Sequence, residues 1–364
     1  MIGSLIYEDY YELFKKRKII NDNFNIKQIQ PSSIDLSLSD ECYEIKYSFL
    51  SLNTTVREKL KNQIIKKINL RDKFVFEPNK TYLVKLNEKL DLDNNLLGHC
   101  NPKSSTGRLD IFCRTIVDYS DEYEKIPSGY KGEVFLEITS RSFYIQFEEG
   151  NQLNQLRLVF DKHNYISDDA LINLHHNENI IINEDKKTNL KIDNGLKISV
   201  DLKNSNKIIA FSAKKKTPIL DFSKINYHKI NDYWEPVFSK KDCIVIETNK
   251  FYILKSKEKV KIPNLYAGEM VPYDTKIGDF RAHYAGFFDP GFGNPNGSYA
   301  VLEVKTNELP FLIEDGQTIA RIKYEKLNKK SNVVYGSGIK SNYQNQRLKL
   351  SKHFESNYEE NNYN

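Results

Sequence analysis

The chain has 364 residues, of which 39% are hydrophobic and 28% are charged, and its net charge is +5. This composition is typical of a soluble globular protein, and at about 150 residues per domain the length predicts two domains. The charge is too small to argue for nucleic acid, and the four cysteines are too widely spaced for a zinc site or a disulfide framework. Because charges interrupt every hydrophobic run, we expect no signal peptide and no membrane span, and hence a cytoplasmic protein.

The first predicted element is a helix over Tyr7–Lys18, where aromatic residues recur at helical spacing and basic residues fill the last turn. A turn that begins at Gln30 then leads into an alternating strand. From there to Asp161 the sequence predicts mostly short strands, which Gly, Pro and Asn separate. These strands are Lys73–Glu77, Thr81–Lys85, Ile111–Val117, Glu133–Thr139, Ser142–Phe147 and Gln155–Phe160. The pattern favours a barrel or sandwich made of β-strands.

A polar stretch rich in Asn, Asp and Lys divides the sequence at residues 161–194. We therefore predict a first unit at residues 1–165, a linker region at 166–194, a second unit at 195–327 and a C-terminal lid or tail at 328–364. The last segment is polar and contains two glycines and many asparagines, so we expect it to be a mobile lid that contributes little to a core.

The strand pattern repeats after this stretch. The segment Glu77–Leu83 matches Glu247–Ile253 at a displacement of 170 residues, and the pair Leu136-Glu137 matches Leu302-Glu303 at a displacement of 166. Solenoid repeats have far shorter periods. The sequence therefore predicts two tandem copies of one β-unit.

The first copy contains a short basic loop, Asn101–Arg108, with Lys103, three hydroxyls, Gly107 and an arginine. Such a loop offers backbone N–H groups, hydroxyl donors and two positive charges to a polyanion. The strand Glu133–Glu137 follows it and ends in a carboxylate, so loop and strand together indicate a phosphorylated substrate and proton transfer. An ordinary turn followed by a solvent-facing glutamate would give the same residues.

The two copies have diverged in opposite ways. At the position of the basic loop the second copy has Tyr273–Gly278, with an acid in place of the first hydroxyl and no arginine. Downstream, the second copy has a compact turn with three glycines, Ala285–Gly293, where the first has the longer, degraded segment Val117–Gly132. The first half has therefore kept the basic loop, and the second half has kept the compact turn with three glycines.

Four elements, in the same order along the chain, resemble those of the dCTP deaminase and dUTPase superfamily. They are the opening motif Gln30–Leu36, the loop Lys103–Arg108, the turn Ala285–Gly293 with its strand Val301–Glu303, and the C-terminal residues Tyr335–Ser337 and Ser341–Gln346. The double length is similar to that of a bacterial subgroup of this superfamily.

The resemblance implies a mainly β fold of two tandem dUTPase-like units, each a distorted barrel of the β-clip type, with a short N-terminal helix. It implies hydrolytic deamination of dCTP to dUTP and ammonia, in which a glutamate carries protons while water attacks C4 of cytosine. Magnesium is expected on the triphosphate. No zinc is expected, because the His-x-Glu pattern at His176 lacks the Pro-Cys-x-x-Cys that completes the zinc deaminase signature. The expected partners are dCTP and dUTP, without nucleic acid or membrane, and self-association is left open.

The resemblance also assigns site residues. The catalytic candidates are Glu303, Arg108 and Ser104, with Glu137 as the alternative to Glu303. The candidates for binding substrate and phosphate are Lys103, Ser105, Gly107, Ala285, Asp289, Val301, Tyr335, Lys340, Asn342 and Gln346. Many single-length relatives have lysine at the position of Asn342, and Lys340 is a candidate substitute. Because the halves have decayed in complementary ways, we expect a composite site that uses the loop of the first half with the turn, glutamate and lid of the second.

Two other readings share these residues. A dUTP diphosphatase, or an enzyme that deaminates dCTP and then removes pyrophosphate, would use the same phosphate loop. A non-catalytic deoxynucleotide-sensing module would use the same fold. The intact loop and the retained lid favour an enzyme over the sensing module.

Overall fold

A computed structural model of the chain describes residues 2–160, 165–182, 190–203, 207–239, 241–272, 280–282, 286–306, 308–339 and 342–356. The chain divides into two compact units. Unit 1 comprises residues 1–164, 219–223 and 326–333, and unit 2 comprises residues 165–218, 224–325 and 334–364. Strands dominate both units, so the predicted mainly β fold of two tandem units is confirmed. No helix in the described part of the chain is long and apolar enough to cross a membrane.

Unit 1 begins with a short strand and a helix, after which strands predominate. Its helical elements are α1 (Tyr7–Lys15), a 3₁₀ turn (Ile26–Gln28), α2 (Val56–Leu60) and α3 (Ser104–Gly107). Its strands are β1 (Gly3–Ser4), β2 (Ile19–Ile20), β3 (Ile34–Ile45), β4 (Ile64–Asn69), β5 (Phe74–Phe76), β6 (Thr81–Asp91), β7 (Leu96–Pro102), β8 (Ile111–Val117), β9 (Lys125–Ile126), β10 (Lys131–Ser140), β11 (Ile145–Phe147) and β12 (Gln152–Phe160).

The main sheet of unit 1 runs in the order β8-β10-β6-β3-β12-β7-β9. Its long strands alternate between buried apolar and more exposed residues, which is the pattern of a sheet with one face on a core. The sheet brings β7 and β8 close to β12, and the basic loop lies on the connection from β7 to β8. The fold therefore holds this loop between strands that belong to the core.

Unit 2 repeats this arrangement with its own strands. Its helices are α4 (Asp168–Glu178) and α5 (Ile230–Tyr233). Its strands are β13 (Leu196–Ser199), β14 (Ile208–Ala213), β16 (Trp234–Phe238), β17 (Cys243–Ile246), β18 (Phe251–Val260), β19 (Tyr266–Pro272), β20 (Phe280–Ala282), β21 (Phe287–Phe288), β22 (Ser298–Thr306), β23 (Phe311–Glu314), β24 (Thr318–Lys326), β25 (Val334–Tyr335) and β26 (Gly338–Ile339), while β15 (Leu220–Asp221) pairs with β11 in unit 1. Two sheets carry the order β13-β24-β19-β21 and β16-β14-β18-β22-β20.

Matching hydrogen bonds show that the two units are copies of one framework. In unit 1 the buried carboxylate of Glu88 accepts bonds from the N–H (2.9 Å) and the hydroxyl (2.9 Å) of Ser37. In unit 2 Glu258 accepts the same two bonds from Ser199, at 2.9 and 2.5 Å. Burial raises the pKa of both carboxyl groups above the ordinary range. The repeat therefore extends to buried polar groups that the sequence comparison did not pair.

The stretch treated as a linker contains the first helix of unit 2. Ser167 caps α4, and Leu171, Leu174 and Ile180 belong to the core of this unit. Just after the helix Ile181 bridges to Val260, as Ile19 pairs with Leu90 after α1 in unit 1. Residues 166–182 are thus the counterpart of the N-terminal helix. The many polar residues around only two buried leucines hid this helix from the sequence analysis.

The C-terminal segment also contributes more to the core than the sequence analysis expected. Phe354 is 3% exposed and His353 is fully buried. Phe354 packs edge-on against Tyr233 and Trp234, with ring centroids 5.3 and 6.0 Å away. The N–H groups of Tyr227 and His228 both donate to the carbonyl of His353 at 3.0 Å. The tail of unit 2 is therefore anchored by residues within the expected lid segment, and cutting the chain after Leu327 would remove buried structure.

We expect Phe354→Ala to lower the free energy of unfolding by about 3–5 kcal/mol, because it removes a buried aromatic side chain and leaves a cavity. Chemical denaturation measures the change. Its matched control is Glu355→Ala at the next, exposed position, for which we expect a change within about 0.5 kcal/mol. Equal, small effects of both substitutions would show that the tail is not anchored.

Candidate active site

The basic loop of unit 1 is a single helical turn fixed to β12. Lys103 precedes α3, and its carbonyl accepts bonds from the N–H groups of Thr106 (2.8 Å) and Gly107 (3.0 Å). The N–H of Lys103 (2.9 Å) and the hydroxyl of Thr106 (2.8 Å) both donate to the carbonyl of Leu153. These bonds give the loop a fixed position on the sheet, which a group that must hold phosphate requires.

The predicted residues of this loop differ in their access to solvent. Ser104 and Lys103 are half-buried, whereas Ser105, Gly107 and Arg108 are buried. Arg108 is 3% exposed, so its guanidinium lies inside the unit and not on its surface. In this conformation the two accessible phosphate candidates of the loop are therefore Lys103 and Ser104.

Lys103 forms an ion pair with Asp35, which comes from the opening motif on β3. The same Asp35 oxygen accepts a bond from the Gln30 side chain at 3.3 Å, and Gln152 lies 3.5 Å from the ammonium group. The other Asp35 oxygen is buried and has no hydrogen-bond partner among the described residues. A carboxylate in this state is suited to a cation or to a water held by one.

The sequence analysis missed two residues that the fold brings to this loop. Asp35 and Gln155 lie opposite each other on β3 and β12, and Gln155 in turn faces Asn101 on β7. The available signal was the polar side chain of Gln155 in the predicted strand Gln155–Phe160, most of whose residues are apolar. The contact of Asp35 with Lys103, and the position of Gln155 opposite Asp35, depend on pairing between strands far apart in sequence, which a local pattern does not give.

A polar cleft of about 520 Å³ opens beside the loop in unit 1. Gln28, Ser37, Asn87 and Gln152 are among its lining residues, and Gln152 also lies against Lys103. Amide and hydroxyl groups predominate on its walls, so it suits a ligand with many polar atoms. The loop and the cleft form one polar region.

Each unit has a buried glutamate at the position predicted for proton transfer. Glu137 on β10 is 1% exposed, and one of its oxygens accepts bonds from Arg114 at 2.5 and 3.2 Å. Arg114 also lies over the ring of Tyr123 at 3.6 Å. Glu303 on β22 is 3% exposed and lies opposite Ile253 on β18. The solvent-facing alternative is wrong for Glu137, which is buried and held in a close ion pair.

The C-terminal lid contacts the glycine-containing turn of unit 2. Tyr335 donates its N–H to the carbonyl of Pro290 at 2.8 Å, and its ring lies 5.7 Å from that of Phe292. The Gln346 side chain donates to the carbonyl of Tyr299 at 2.8 Å, close to Val301 on the same strand. These contacts join the C-terminal residues to the turn, and closing of a lid over the substrate stays a prediction.

Gln344 was not predicted and makes the closest set of contacts with this turn. Its carbonyl oxygen accepts from the N–H of Gly293 (3.1 Å), and its amide nitrogen donates to the carbonyls of Gly291 (3.3 Å) and Asn294 (3.0 Å). Among the other predicted residues, Asp289 is half-buried in the turn and Asn342 is exposed. Ala285 and Lys340 lie outside the described residues.

No group of three or more His, Cys, Asp or Glu side chains within the described ranges is arranged to hold a metal ion. Zinc independence stays an expectation of the sequence analysis, and so do the roles of the individual site residues.

Comparisons with known proteins place these residues in a family context. The family model of the 2'-deoxycytidine 5'-triphosphate deaminase N-terminal domain matches residues 2–162, and that of the C-terminal domain matches residues 167–354. A crystal structure of 2'-deoxycytidine 5'-triphosphate deaminase from Agrobacterium tumefaciens is similar, with a TM-score of 0.86 and 38% identity. The match covers 91% of this chain and 99% of that one.

Shorter relatives match part of the chain. The dUMP-forming dCTP deaminase of Persephonella marina is 26% identical over 152 residues, which are 42% of this chain and 79% of the relative. The dUMP-forming dCTP deaminase of Nanoarchaeum equitans is 28% identical over 141 residues, which are 35% of this chain and 68% of the relative. On these matches the chain belongs to the 2'-deoxycytidine 5'-triphosphate deaminase family.

Proposed function

We propose that this chain removes the amino group of dCTP by hydrolysis to give dUTP and ammonia, with Glu303 as the residue that transfers protons. The observation that carries the choice of Glu303 over Glu137 is the ion pair that Glu137 forms. Arg114 holds Glu137 in an ion pair at 2.5 Å, so this carboxyl group already has a charged partner within its own unit. A residue that must both take and return a proton is poorly served by such a partner.

The reaction needs a water, a base and an acid at C4 of cytosine. In the proposed mechanism Glu303 takes a proton from the attacking water and returns it to the departing amino group, which leaves as ammonia. Its buried position keeps bulk water from competing for that proton. Ser104 and Arg108 are assigned to the water and to the charge that develops during the attack. This assignment rests on the family motif and on the rigid mounting of the loop on β12.

The triphosphate is assigned to Lys103, Ser105 and Gly107 of the loop, with Tyr335, Lys340, Asn342 and Gln346 of the lid. Magnesium is proposed to enter with the triphosphate as part of the substrate. The buried Asp35 oxygen that lacks a protein partner among the described residues supports a cation near this loop. All four cysteines are free, which supports a location in the reducing cytoplasm.

A second candidate function is removal of pyrophosphate from the dUTP product. The names of two relatives favour it, because the proteins of Persephonella marina and Nanoarchaeum equitans are both called dUMP-forming. The same polar loop would then position a second water against the phosphates.

Purified protein incubated with dCTP and magnesium should release ammonia, and a zinc-selective chelator should leave the rate unchanged. Chromatography of the nucleotides separates the two candidates, because the first gives dUTP alone and the second gives dUMP and pyrophosphate. Absence of both products would contradict the proposed function. Loss of activity with chelator and recovery with zinc would contradict the mechanism.

Glu303→Gln should reduce ammonia release by about 100-fold or more, because glutamine keeps the size of the side chain but carries no transferable proton. Glu137→Gln is the matched substitution at the equivalent strand position, and we expect it to keep most of the activity. Thermal unfolding of both variants checks that any loss is not a folding defect. An inactive Glu137→Gln protein beside an active Glu303→Gln protein would reverse the assignment.

A further inference from the structure

Two turns, one in each unit, are held on their sheets by the same backbone bonds. The N–H of Gly150 donates to the carbonyl of Leu38 at 2.8 Å in unit 1, and the N–H of Gly316 donates to the carbonyl of Val200 at 2.9 Å in unit 2. The carbonyl of the next residue in each turn accepts a bond from the same strand residue, at 2.9 Å in unit 1 and 3.1 Å in unit 2. Both glycines have a left-handed φ, of 84° and 76°. Gly150 and Gly316 therefore occupy equivalent positions.

Two further pairs of residues beside these turns correspond between the units. Glu149 and Asp315 each come directly before the glycine of their turn. Asn87 and Lys257 each come directly before the buried glutamate that accepts two bonds from a serine of the framework. The surroundings of the two turns can therefore be compared residue by residue.

In unit 2 a lysine side chain fills the space in front of the turn. The ammonium nitrogen of Lys257 lies 2.6 Å from Oδ2 of Asp315, and a Cβ on Gly316 would lie 3.8 Å from the same nitrogen. The Asp315 side chain is 11% exposed, so this charge-assisted hydrogen bond is partly shielded from water. Unit 2 thus binds an ammonium group with the carboxylate of its turn.

In unit 1 the same space is open. The amide of Asn87 is shorter than a lysine side chain and is bonded to β3, where it donates to the hydroxyl of Ser37 at 3.1 Å and to the carbonyl of Leu38 at 2.9 Å. A Cβ on Gly150 would meet no atom of the described residues within 4 Å. Asn87, Gly150 and Glu149 all line the polar cleft of about 520 Å³, a volume typical of small-molecule sites.

The carboxylate of Glu149 has no ammonium partner within the described part of the chain. The cation beside it is Arg71, whose Nε lies 4.0 Å away, which is beyond hydrogen-bond distance. The guanidinium of Arg71 bonds instead to Asp40 at 3.0 Å. Amide side chains also line the cleft, and their carbonyl oxygens are acceptors for an ammonium group. The cleft therefore offers an acidic acceptor set where unit 2 places a lysine.

We propose that the cleft of unit 1 binds a small primary amine in its protonated form, with the ammonium group on Glu149. The side chain of Lys257 is the covalent counterpart of this ligand in unit 2. The inference goes beyond the proposed function and does not rest on it, because it uses the cleft and the two turns and no step of the deamination.

The probe is n-butylamine, which at neutral pH reproduces the ammonium group and the four-carbon chain of lysine. Its control is 1-butanol, which has the same length and no charge. Saturation-transfer NMR titrations of the unmodified chain should show saturable binding of n-butylamine, and binding of 1-butanol should be about tenfold weaker or less. Equal binding of both compounds, or no saturable binding of the amine, would overturn the proposal.

Two variants locate the amine in the cleft. Asn87→Lys has the residue of unit 2 and should weaken binding of n-butylamine by about tenfold or more, because its own ammonium group then reaches Glu149. Asn62→Lys is the matched control, since it adds the same charge at an exposed position of the same unit and should leave the affinity unchanged. Glu149→Gln keeps the size of the side chain but not its charge, and should weaken binding as much as Asn87→Lys does.

Thermal unfolding checks that each variant is folded, and Glu149→Gln decides the result if Asn87→Lys is not. Unchanged affinity in either folded variant would place the amine on another carboxylate and overturn the proposal. An equal loss in Asn87→Lys and Asn62→Lys would also overturn it, because the added charge alone would then explain the loss. None of these measurements uses dCTP, so failure of the proposed function is distinguishable from failure of this inference.

Discussion

The structure depends on one backbone constraint, the docking of a turn on the strand beside it. In each unit an N–H of that strand donates to the carbonyl of the first docked residue at 2.7 Å, from Cys100 to Glu124 and from Met270 to Gly286. Buried backbone groups must be paired, so this bond persists whatever side chain the residue carries. The turn is therefore fixed in both units, and the side chain at this point differs between Glu124 and Gly286 while the strand pairing stays as it is.

The same reasoning explains how the two copies of a duplicated fold can take on different functions. The parts that hold a unit together, such as the buried Ser37–Glu88 and Ser199–Glu258 pairs, are present twice because losing either partner would leave a buried polar group unpaired. The basic loop of unit 1 does not belong to such a buried pair. Its counterpart in the sequence of unit 2 has an acid, Asp274. Framework residues are thus kept in both copies, and ligand-facing residues are free to diverge.

Much of the fold followed from the sequence because its signals are local. The β8 strand lies at Ile111–Val117, as its alternation predicted, and the 170-residue displacement identified the repeat. The α4 helix was not predicted because two buried leucines among polar residues give a weak periodic signal. The burial of Phe354 was not predicted because its aromatic partners come from residues more than a hundred positions earlier. For the candidate site, the sequence pointed to the loop and to both glutamates, and their roles stay predictions. The Lys103–Asp35 ion pair depends on strand pairing, which no local pattern encodes.

The anchored tail changes what closing of the lid costs. Tyr335, Gln344 and Gln346 are bonded to other residues of unit 2, and the chain is fixed again at Phe354, so the described residues between these points are held on both sides. A free tail must give up most of its conformational entropy when it folds over a ligand, whereas a short closed loop has already lost much of it. More of the contact energy of the lid is then available as affinity for the substrate. The release of product should correspondingly require a local rearrangement of a few residues instead of the detachment of a whole C-terminus.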